Sequence, residues 1–204
     1  VINALIVIPP PTPTVNPIES PTNVNPITIS GTKSADSVQV LVNDALGATY
    51  VDATTWSYNK TLASGINTMA IKAIDAASNE SNSTIVTVEC KDASFSDPTN
   101  GVEIVFPIGS STTNPITTVE VYNNSASLIP VPSARHLAGS AINLTSNITN
   151  FLIPISVTMP LTAGNINPKP YYWDPTALVW KNTDLVVTAK SANSITFTTT
   201  HFSV

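Results

Sequence analysis

Apolar and polar residues alternate along most of this chain in short runs that end at Asn, Asp, Ser, Gly or Pro. Successive side chains of a β-strand point to opposite faces, so this alternation predicts half-buried strands. The turn residues recur at the spacing of about 8–12 residues that is typical of β-sandwiches. No apolar pattern with a helical period extends over a useful length. The pattern therefore predicts an all-β protein.

The first half of the chain contains a regular series of such runs. The predicted strands are 27–32, 37–43, 55–58, 67–74 and 83–88. Within the second run, Val38, Val40 and Val42 are expected on one face of the strand because they are two residues apart.

The second half contains further runs, which become closely spaced towards the C-terminus. The predicted strands are 102–107, 117–122, 128–131, 152–159, 171–175, 179–181, 184–188 and 194–204. Proline cannot donate a hydrogen bond to a neighbouring strand, so Pro130, Pro132 and Pro154 are expected at strand edges or ends. Residues 133–150 are rich in Ser, Asn and Thr and are predicted to form a long loop or an irregular crossover.

The first eight residues differ from the rest because they are almost entirely apolar and rich in β-branched side chains. Such a segment fits a strand that is buried on both faces. Residues 9–14 are mostly proline and are predicted to form a stiff, extended polyproline spacer. The apolar segment is interpreted as a detached arm, as the first strand of the following domain, or as the tail of a preceding domain.

These patterns divide the chain into four parts. They are an apolar arm and proline spacer at 1–14, a first β-sandwich at 15–92, a polar linker at 93–101 and a second β-sandwich at 102–204. The predicted architecture is two tandem β-sandwich domains with an extended N-terminal strand arm.

Composition narrows the classes of function. Charged residues make up 10% of the 204 residues and the net charge is −5, which argues against a nucleic-acid partner. No apolar run approaches the roughly 18 residues of a membrane helix, so membrane insertion is not expected. Low charge with abundant Thr, Ser, Asn and seventeen prolines favours an extracellular, cell-surface location. Cys90 is the sole cysteine and is expected to be a buried small side chain, with an intermolecular disulfide or a lipid site as alternatives.

Several segments of the first domain resemble the bacterial immunoglobulin-like repeats of surface and secreted proteins. The matching segments are 29–32, 40–43, 56–58, Leu62 with 65–68, and 75–81. The resemblance implies a β-sandwich in which Trp56 belongs to the core. The chain departs from the family at Ser78, where the repeats usually have a glycine.

Oxygen-bearing side chains cluster at the end of this domain. Asp75, Asn79 and Glu80 offer the hard ligands that Ca²⁺ prefers, but their spacing matches no complete calcium loop. We expect them to cap a turn. Glycosylation sequons occur at Asn59, Asn79, Asn82, Asn123, Asn143 and Asn147.

The C-terminal region resembles the β-sandwich module shared by netrin receptors, ankyrins and inflammasome sensors. The matching segments are 154–157, 171–175, Trp180 and 200–204. In self-cleaving members of that family the bond between Phe and Ser breaks. Carried over, Ser203 attacks the carbonyl of Phe202 in an N-to-O acyl shift, with His201 as the general base on the same face of the strand. This chain departs from the pattern because only Val204 follows Ser203, so we expect a structural His-Phe-Ser with Phe202 in the core.

Other catalytic signals are absent from the sequence. His136 is isolated in a polar segment, no His/Cys/carboxylate cluster suggests zinc, and no glycine-rich phosphate loop or Gly-x-Ser-x-Gly motif occurs. We therefore expect no enzymatic activity, no cofactor and no metal.

The sequence leads to three hypotheses about function. The first is a structural subunit of a surface filament or surface layer, whose partners are other copies of itself. Its assembly strand consists of Val1, Ile2, Ala4, Leu5, Ile6, Val7 and Ile8. The second is an adhesion or carbohydrate-binding module that contacts surface glycans through exposed aromatics such as Trp173 and Trp180. The third is a self-cleaving surface protein.

Overall fold

The structure is a computed structural model, which describes residues 8–46, 48–50, 52–122, 138–162, 164 and 167–202. Its regular elements over these residues are all strands, which confirms the predicted all-β class. No helix within these ranges is long and apolar enough to cross a membrane.

Seven strands lie among the described residues of the first part of the chain. They are β1 (Ile27–Thr32), β2 (Ser37–Val42), β3 (Ala45–Leu46), β4 (Thr49–Tyr50), β5 (Thr55–Lys60), β6 (Gly65–Asp75) and β7 (Thr84–Cys90).

The residues that the structure describes in the second part form nine further strands. They are β8 (Ala93–Asp97), β9 (Val102–Phe106), β10 (Thr117–Tyr122), β11 (Ala141–Ser146), β12 (Asn150–Pro160), β13 (Tyr172–Asp174), β14 (Val179–Lys181), β15 (Val186–Lys190) and β16 (Ser194–His201).

The chain divides into two compact units, unit 1 at 1–91 and unit 2 at 92–204. The predicted linker at 93–101 contains β8, which pairs with β9 along its whole length inside unit 2. The linker prediction missed this strand because Ala93–Asp97 reads Ala-Ser-Phe-Ser-Asp, with only one large apolar side chain.

Unit 1 has two antiparallel sheets, of order β3-β2-β6-β7 and β1-β5-β4. Both sheets contribute fully buried side chains, among them Ile29 and Trp56 from one and Val40, Met69 and Ile71 from the other. This arrangement is consistent with a β-sandwich. Every such side chain withdrawn from water contributes on the order of 1.5–3 kcal/mol of hydrophobic free energy.

Two predictions about buried residues of unit 1 are confirmed. Trp56 is 1% exposed and Cys90 is completely buried. The Trp56 indole Nε1 donates to the carbonyl oxygens of Thr14 and Thr32, at 3.2 and 3.3 Å. A buried indole needs such a partner because an unpaired buried N–H is costly.

The expected alternation in β2 is wrong at one position. Val38 is 50% exposed, whereas Val40 and Val42 are buried. The register with β6 runs from Ser37 opposite Asp75 to Gln39 opposite Ile74, so Val38 is an extra residue on the bulged strand. The bulge turns this valine away from the face that its spacing predicts.

Unit 2 is built on a five-stranded sheet of order β15-β16-β12-β9-β8. The hairpin-like pairs β10-β11 and β13-β14 form two further, two-stranded sheets. The core combines buried residues of β9, β12 and β16, and the residue that follows β16, with partly buried residues of β8, β10 and β11. The buried members are Val102, Ile104, Phe106, Phe151, Ile155, Val157, Phe197 and Phe202.

Two further sequence predictions for unit 2 need correction. Residues 141–146, expected in a long loop, form β11 and pair with β10 from Thr117 opposite Ser146 to Tyr122 opposite Ala141. Pro154 lies inside the central strand β12, not at an end. The register of β12 with β16 shifts between Asn150 and Ile155. Pro154 lies in this irregular part of the ladder, where the strand does not need a backbone N–H at that position. The predicted strand 128–131, with Pro130 and Pro132, lies outside the described residues.

The turn after β6 is closed by the acidic residue that the sequence placed there. The carboxylate of Asp75 accepts hydrogen bonds from the backbone N–H groups of Ala77 and Asn79 and from the Asn79 side-chain amide. Glu80 instead pairs with Lys72 at 3.2 Å. Asp75 therefore caps the turn as predicted. Ser78 has φ +67°, the left-handed conformation that glycine adopts most easily.

We predict that Ser78→Gly stabilises unit 1. An L-residue in the left-handed region costs about 1–2 kcal/mol relative to the right-handed one, whereas glycine loses more entropy on folding. The net gain in free energy of unfolding should be about 0.5–1 kcal/mol, measured by urea denaturation.

Ala77→Gly is the matched control for this prediction. It adds a glycine one residue earlier, where φ is not positive, and should lower the free energy of unfolding by about 0.5–1 kcal/mol. Equal effects of the two substitutions would contradict the assigned turn conformation.

Candidate functional site

The C-terminal strand β16 presents a regular inner face up to Thr199. Ile195, Phe197 and Thr199 are buried, and the residues between them are less so. The strand ends at His201, which lies opposite Asn150 of β12. The Thr199 hydroxyl donates to the His201 carbonyl at 2.9 Å, and this bond marks the end of the regular alternation.

Phe202 turns into the core directly after the strand. It is 6% exposed, and its backbone N–H donates to the carbonyl of Thr149 at 2.9 Å. Its ring meets those of Phe151 and Phe106 edge-on, at centroid distances of 5.0 and 6.4 Å. Edge-to-face aromatic pairs add about 0.5–1.5 kcal/mol beyond the area that they bury. Phe202 is therefore a core residue, as the structural interpretation of His-Phe-Ser predicted.

The alternation of buried and exposed residues along β16 changes after Thr199. The prediction that His201 and Ser203 share a face assumed strand alternation through all three residues. Thr199 and Phe202 are both buried although they are three positions apart, so the alternation changes phase between these two residues. The His201 imidazole packs edge-on against the ring of Tyr172, with centroids 5.0 Å apart. Ser203 itself lies outside the described residues.

An aromatic hairpin, which we define as residues 171–181, lies next to His201. Its strands β13 and β14 pair Trp173 directly with Trp180, and the two indoles meet at 5.6 Å and 67°. Both indoles are half-buried, as are Tyr171 and Tyr172. The sequence predicted the two strands but not this register, which places two large aromatic side chains side by side on one surface.

The turn of the aromatic hairpin is held by one carboxylate. Asp174 accepts hydrogen bonds from the backbone N–H groups of Thr176 and Ala177 through one oxygen, and from the Lys181 ammonium through the other. The bond from Lys181 and then that from Ala177 lower the pKa of Asp174. In return, the same pair raises the pKa of Lys181. Leu178 and Val179 follow the turn and are exposed.

The N-terminal spacer packs against unit 1 and forms hydrogen bonds with it. Pro10 and Pro13 are buried. The backbone N–H groups of Thr14 and Asn16 donate to the carbonyls of Thr32 and Ser30, at 2.9 and 2.8 Å. This places residues 14–16 antiparallel beside β1. We call residues 10–16 the arm root.

Gly31 makes the close approach of the arm root to β1 possible. A Cβ atom at this glycine would lie 1.9 Å from the carbonyl oxygen of Thr14, which is closer than any real contact. Two further bonds fix the root: the Trp56 indole donates to Thr14, and the Thr84 hydroxyl donates to the Pro13 carbonyl at 2.6 Å. Ile8, by contrast, is 78% exposed.

The remaining candidate residues are dispersed. Val1–Val7 and His136 lie outside the described residues, as does Asn123. The side-chain amides of Asn79, Asn143 and Asn147 donate to Asp75, Glu120 and Asn114, whereas Asn59 and Asn82 are exposed. Within the described ranges, no three His, Cys, Asp or Glu side chains come together as a metal site.

One feature of unit 2 had no signal in the sequence. A cavity of about 120 Å³ opens between β8 and the beginning of β10. Its lining is Ala93, Ser94, Phe95, Phe106, Pro115 and Thr117. We call it the inter-sheet cleft. The cleft exists because β8 forms one of its sides. The sequence predicted a linker in place of β8, so the apolar and polar pattern did not indicate the cleft.

Comparison of the chain with protein-family models, with curated proteins and with solved structures gave no match. The structure supports the two sequence resemblances only in the general fold, which is all-β with several sheets and is consistent with β-sandwiches.

We predict that the aromatic hairpin loses its order in acid. The pKa of Asp174 is lowered in the folded state, so its bonds stabilise the hairpin fully above the ordinary value of 3.8 and lose their effect as pH falls through the folded value. Near-UV circular dichroism of the Trp173–Trp180 pair, recorded from pH 7 downwards, should therefore change below about pH 4.

Asp174→Asn should show the acid-like signal already at pH 7, because the amide lacks the charge that holds Lys181. Asp184→Asn is the control, since this exposed carboxylate lies in the next turn. An unaltered signal in Asp174→Asn would show that the Asp174–Lys181 pair does not order the hairpin.

Proposed function

We propose that this protein is a non-enzymatic structural subunit of an extracellular surface filament or surface layer. Its copies assemble head-to-tail when the N-terminal strand Val1–Ile8 of one copy joins unit 2 of the next. The observation that carries this proposal is the contrast between the fixed arm root and the exposed Ile8 at its end.

The arm root supports the proposal because it gives the arm a defined starting point. Buried prolines and backbone hydrogen bonds hold residues 10–16 against unit 1. A stiff root reduces the conformational entropy that is lost when the arm binds, which raises affinity without any additional contact. An arm on a flexible tether would lose more entropy on binding.

The composition of the arm supports binding to a protein surface. Seven of its eight residues are apolar and none is charged. Burial of one Ile, Leu or Val side chain contributes about 1.5–3 kcal/mol. Burial of three or four such side chains therefore offsets a substantial part of the free-energy cost of association. Backbone hydrogen bonds to a sheet edge add affinity, and the side chains set the register.

Assembly through such an arm is directional. The surface that donates the strand differs from the surface that accepts it, so the contact is heterologous. Heterologous contacts form rings when the rotation closes and open filaments when it does not. An extended polymer of one subunit type on the cell surface is the expected product.

Deletion of residues 1–8 tests the proposal. We expect the truncated protein to be a soluble monomer by light scattering, whereas the full chain forms polymers visible by electron microscopy. A synthetic peptide of Val1–Ile8 should raise the melting temperature of the truncated protein, because it fills the site that the neighbouring arm occupies.

Asn3→Ser supplies the matched control, because it alters the polar position of the arm and keeps every apolar side chain. This variant should polymerise as the parent chain does. Polymers of the truncated protein that resemble those of the full chain would overturn the proposal.

The aromatic hairpin favours a second function, glycan binding. Trp173, Trp180 and Tyr172 are half-exposed on one hairpin, and aromatic faces form stacking surfaces for the apolar faces of sugar rings. We expect Trp180→Ala to abolish retention on immobilised cell-surface polysaccharide if this function is real. Val179→Ala, an exposed neighbour, is the control; equal retention of both variants would exclude the hairpin as the glycan site.

A further inference from the structure

We propose that the inter-sheet cleft of unit 2 is the acceptor site for the arm of a second copy. This inference rests on the proposed function and specifies the site that the arm enters.

The cleft lies beside β8, at the margin of the core of unit 2. On β9 and β12, the core residues Ile104, Phe106 and Val157 are 0–1% exposed. On the neighbouring β8, Ala93 and Phe95 are only partly buried although they pack on the same core. The described part of the facing layer is the pair β10-β11, which is narrower than the five-stranded sheet. Among the described residues, the inward side chains of β8 are therefore less buried than the core residues of β9.

Among the described strands, both sides of the cleft are sheet edges. β8 pairs only with β9, and β10 pairs only with β11, within the part of the chain that the structure describes. A sheet edge presents backbone N–H and C=O groups that can pair with an added strand. An arm that enters the cleft thus finds main-chain partners as well as apolar side chains.

The cavity has room for a side chain of the arm. The cavity has a volume of about 120 Å³, is partly open to solvent and is lined in part by the buried Phe106. An engineered apolar cavity of about 150 Å³ is known to hold benzene. A single Leu or Ile side chain is of comparable size, so one aliphatic anchor of the arm can fill this space.

The arm brings no charged side chain into the cleft. Neither Val1–Ile8 nor the six cavity-lining residues include a charge, so insertion leaves no lining or arm charge buried. Eight extended residues span roughly 26 Å, which exceeds the roughly 17 Å of the five-residue β8. The arm is therefore long enough to run along the whole edge.

The opposite edge of the same sheet is the weaker candidate. All five residues of β15 are exposed, including Val186 and Val187, so both faces of that strand meet solvent. A strand added beside β15 gains backbone bonds but reaches no buried side chain. The cleft offers both contributions.

Cysteine pairing in the full chain tests the assignment. Leu5→Cys in the arm is combined with Thr117→Cys in the cleft, and separately with Thr188→Cys on β15. The native Cys90 is buried and does not interfere. Under mild oxidation we expect a ladder of disulfide-linked multimers from the Thr117 pair, with at least about tenfold less from the Thr188 pair. Ile6→Cys replaces Leu5→Cys in a second series, because adjacent arm residues face opposite sides.

Each other outcome overturns the assignment. A ladder from the Thr188 pair alone identifies β15 as the acceptor. A disulfide that forms within monomers at all concentrations shows that the arm enters the cleft of its own chain. Protection of Thr117→Cys from maleimide in the monomer that lacks residues 1–8 shows that another segment already covers the cleft.

A blocking variant separates this inference from the proposed function. Ala93→Trp fills the cleft, and we expect it to slow assembly by at least about tenfold. Ser96→Trp, on the outer face of β8, should assemble within about twofold of the parent rate. If deletion of residues 1–8 prevents assembly but a folded Ala93→Trp variant assembles normally, the cleft assignment fails and the proposed function stands. If Ala93→Trp does not fold, the cysteine ladders decide.

Discussion

The hydrogen bond from the Trp56 indole to the Thr14 carbonyl is the interaction on which the organisation of unit 1 depends. Trp56 is buried and its N–H needs an acceptor, which the N-terminal segment supplies. The same carbonyl can approach because Gly31 has no Cβ. The packing of the core of unit 1 and the position of the N-terminal segment at Thr14 are thus determined together. Loss of the Trp56 side chain therefore removes a core aromatic and also loosens the arm root.

In unit 2, the described strands opposite the five-stranded sheet are fewer than the strands of that sheet. Phe106, Phe151 and Phe202 form a cluster of packed aromatic rings where the C-terminal strand ends. On β8, Ala93 and Phe95 are only partly buried, and the inter-sheet cleft lies beside them. The residue that the self-cleaving family would use at its scissile bond, Phe202, here belongs to the packed part of the unit.

Sequence pattern predicted the strands whose alternation is strong and failed where it is weak. The strands at 27–32, 117–122 and 179–181 have the predicted bounds. β8 and β11 were missed because serine, asparagine and threonine occupy many of their positions. The amino-acid composition of these strands therefore resembles that of a loop. The bulge at Val38 depends on the register with β6, which no local pattern contains. The same distinction applies to the candidate sites. The burial of Phe202 could be predicted because phenylalanine is a large apolar side chain, whereas the pairing of Trp173 with Trp180 depends on the register of the two strands.

The antiparallel contact of the arm root with β1 has a mechanical consequence. The Thr14–Thr32 and Asn16–Ser30 bonds lie side by side along one segment, and the Trp56–Thr14 bond connects that segment to the core. A pull directed along the segment loads these bonds together, so rupture requires that several of them break at once. In the proposed assembly, tension on the arm would thus be transmitted into the packed interior of unit 1.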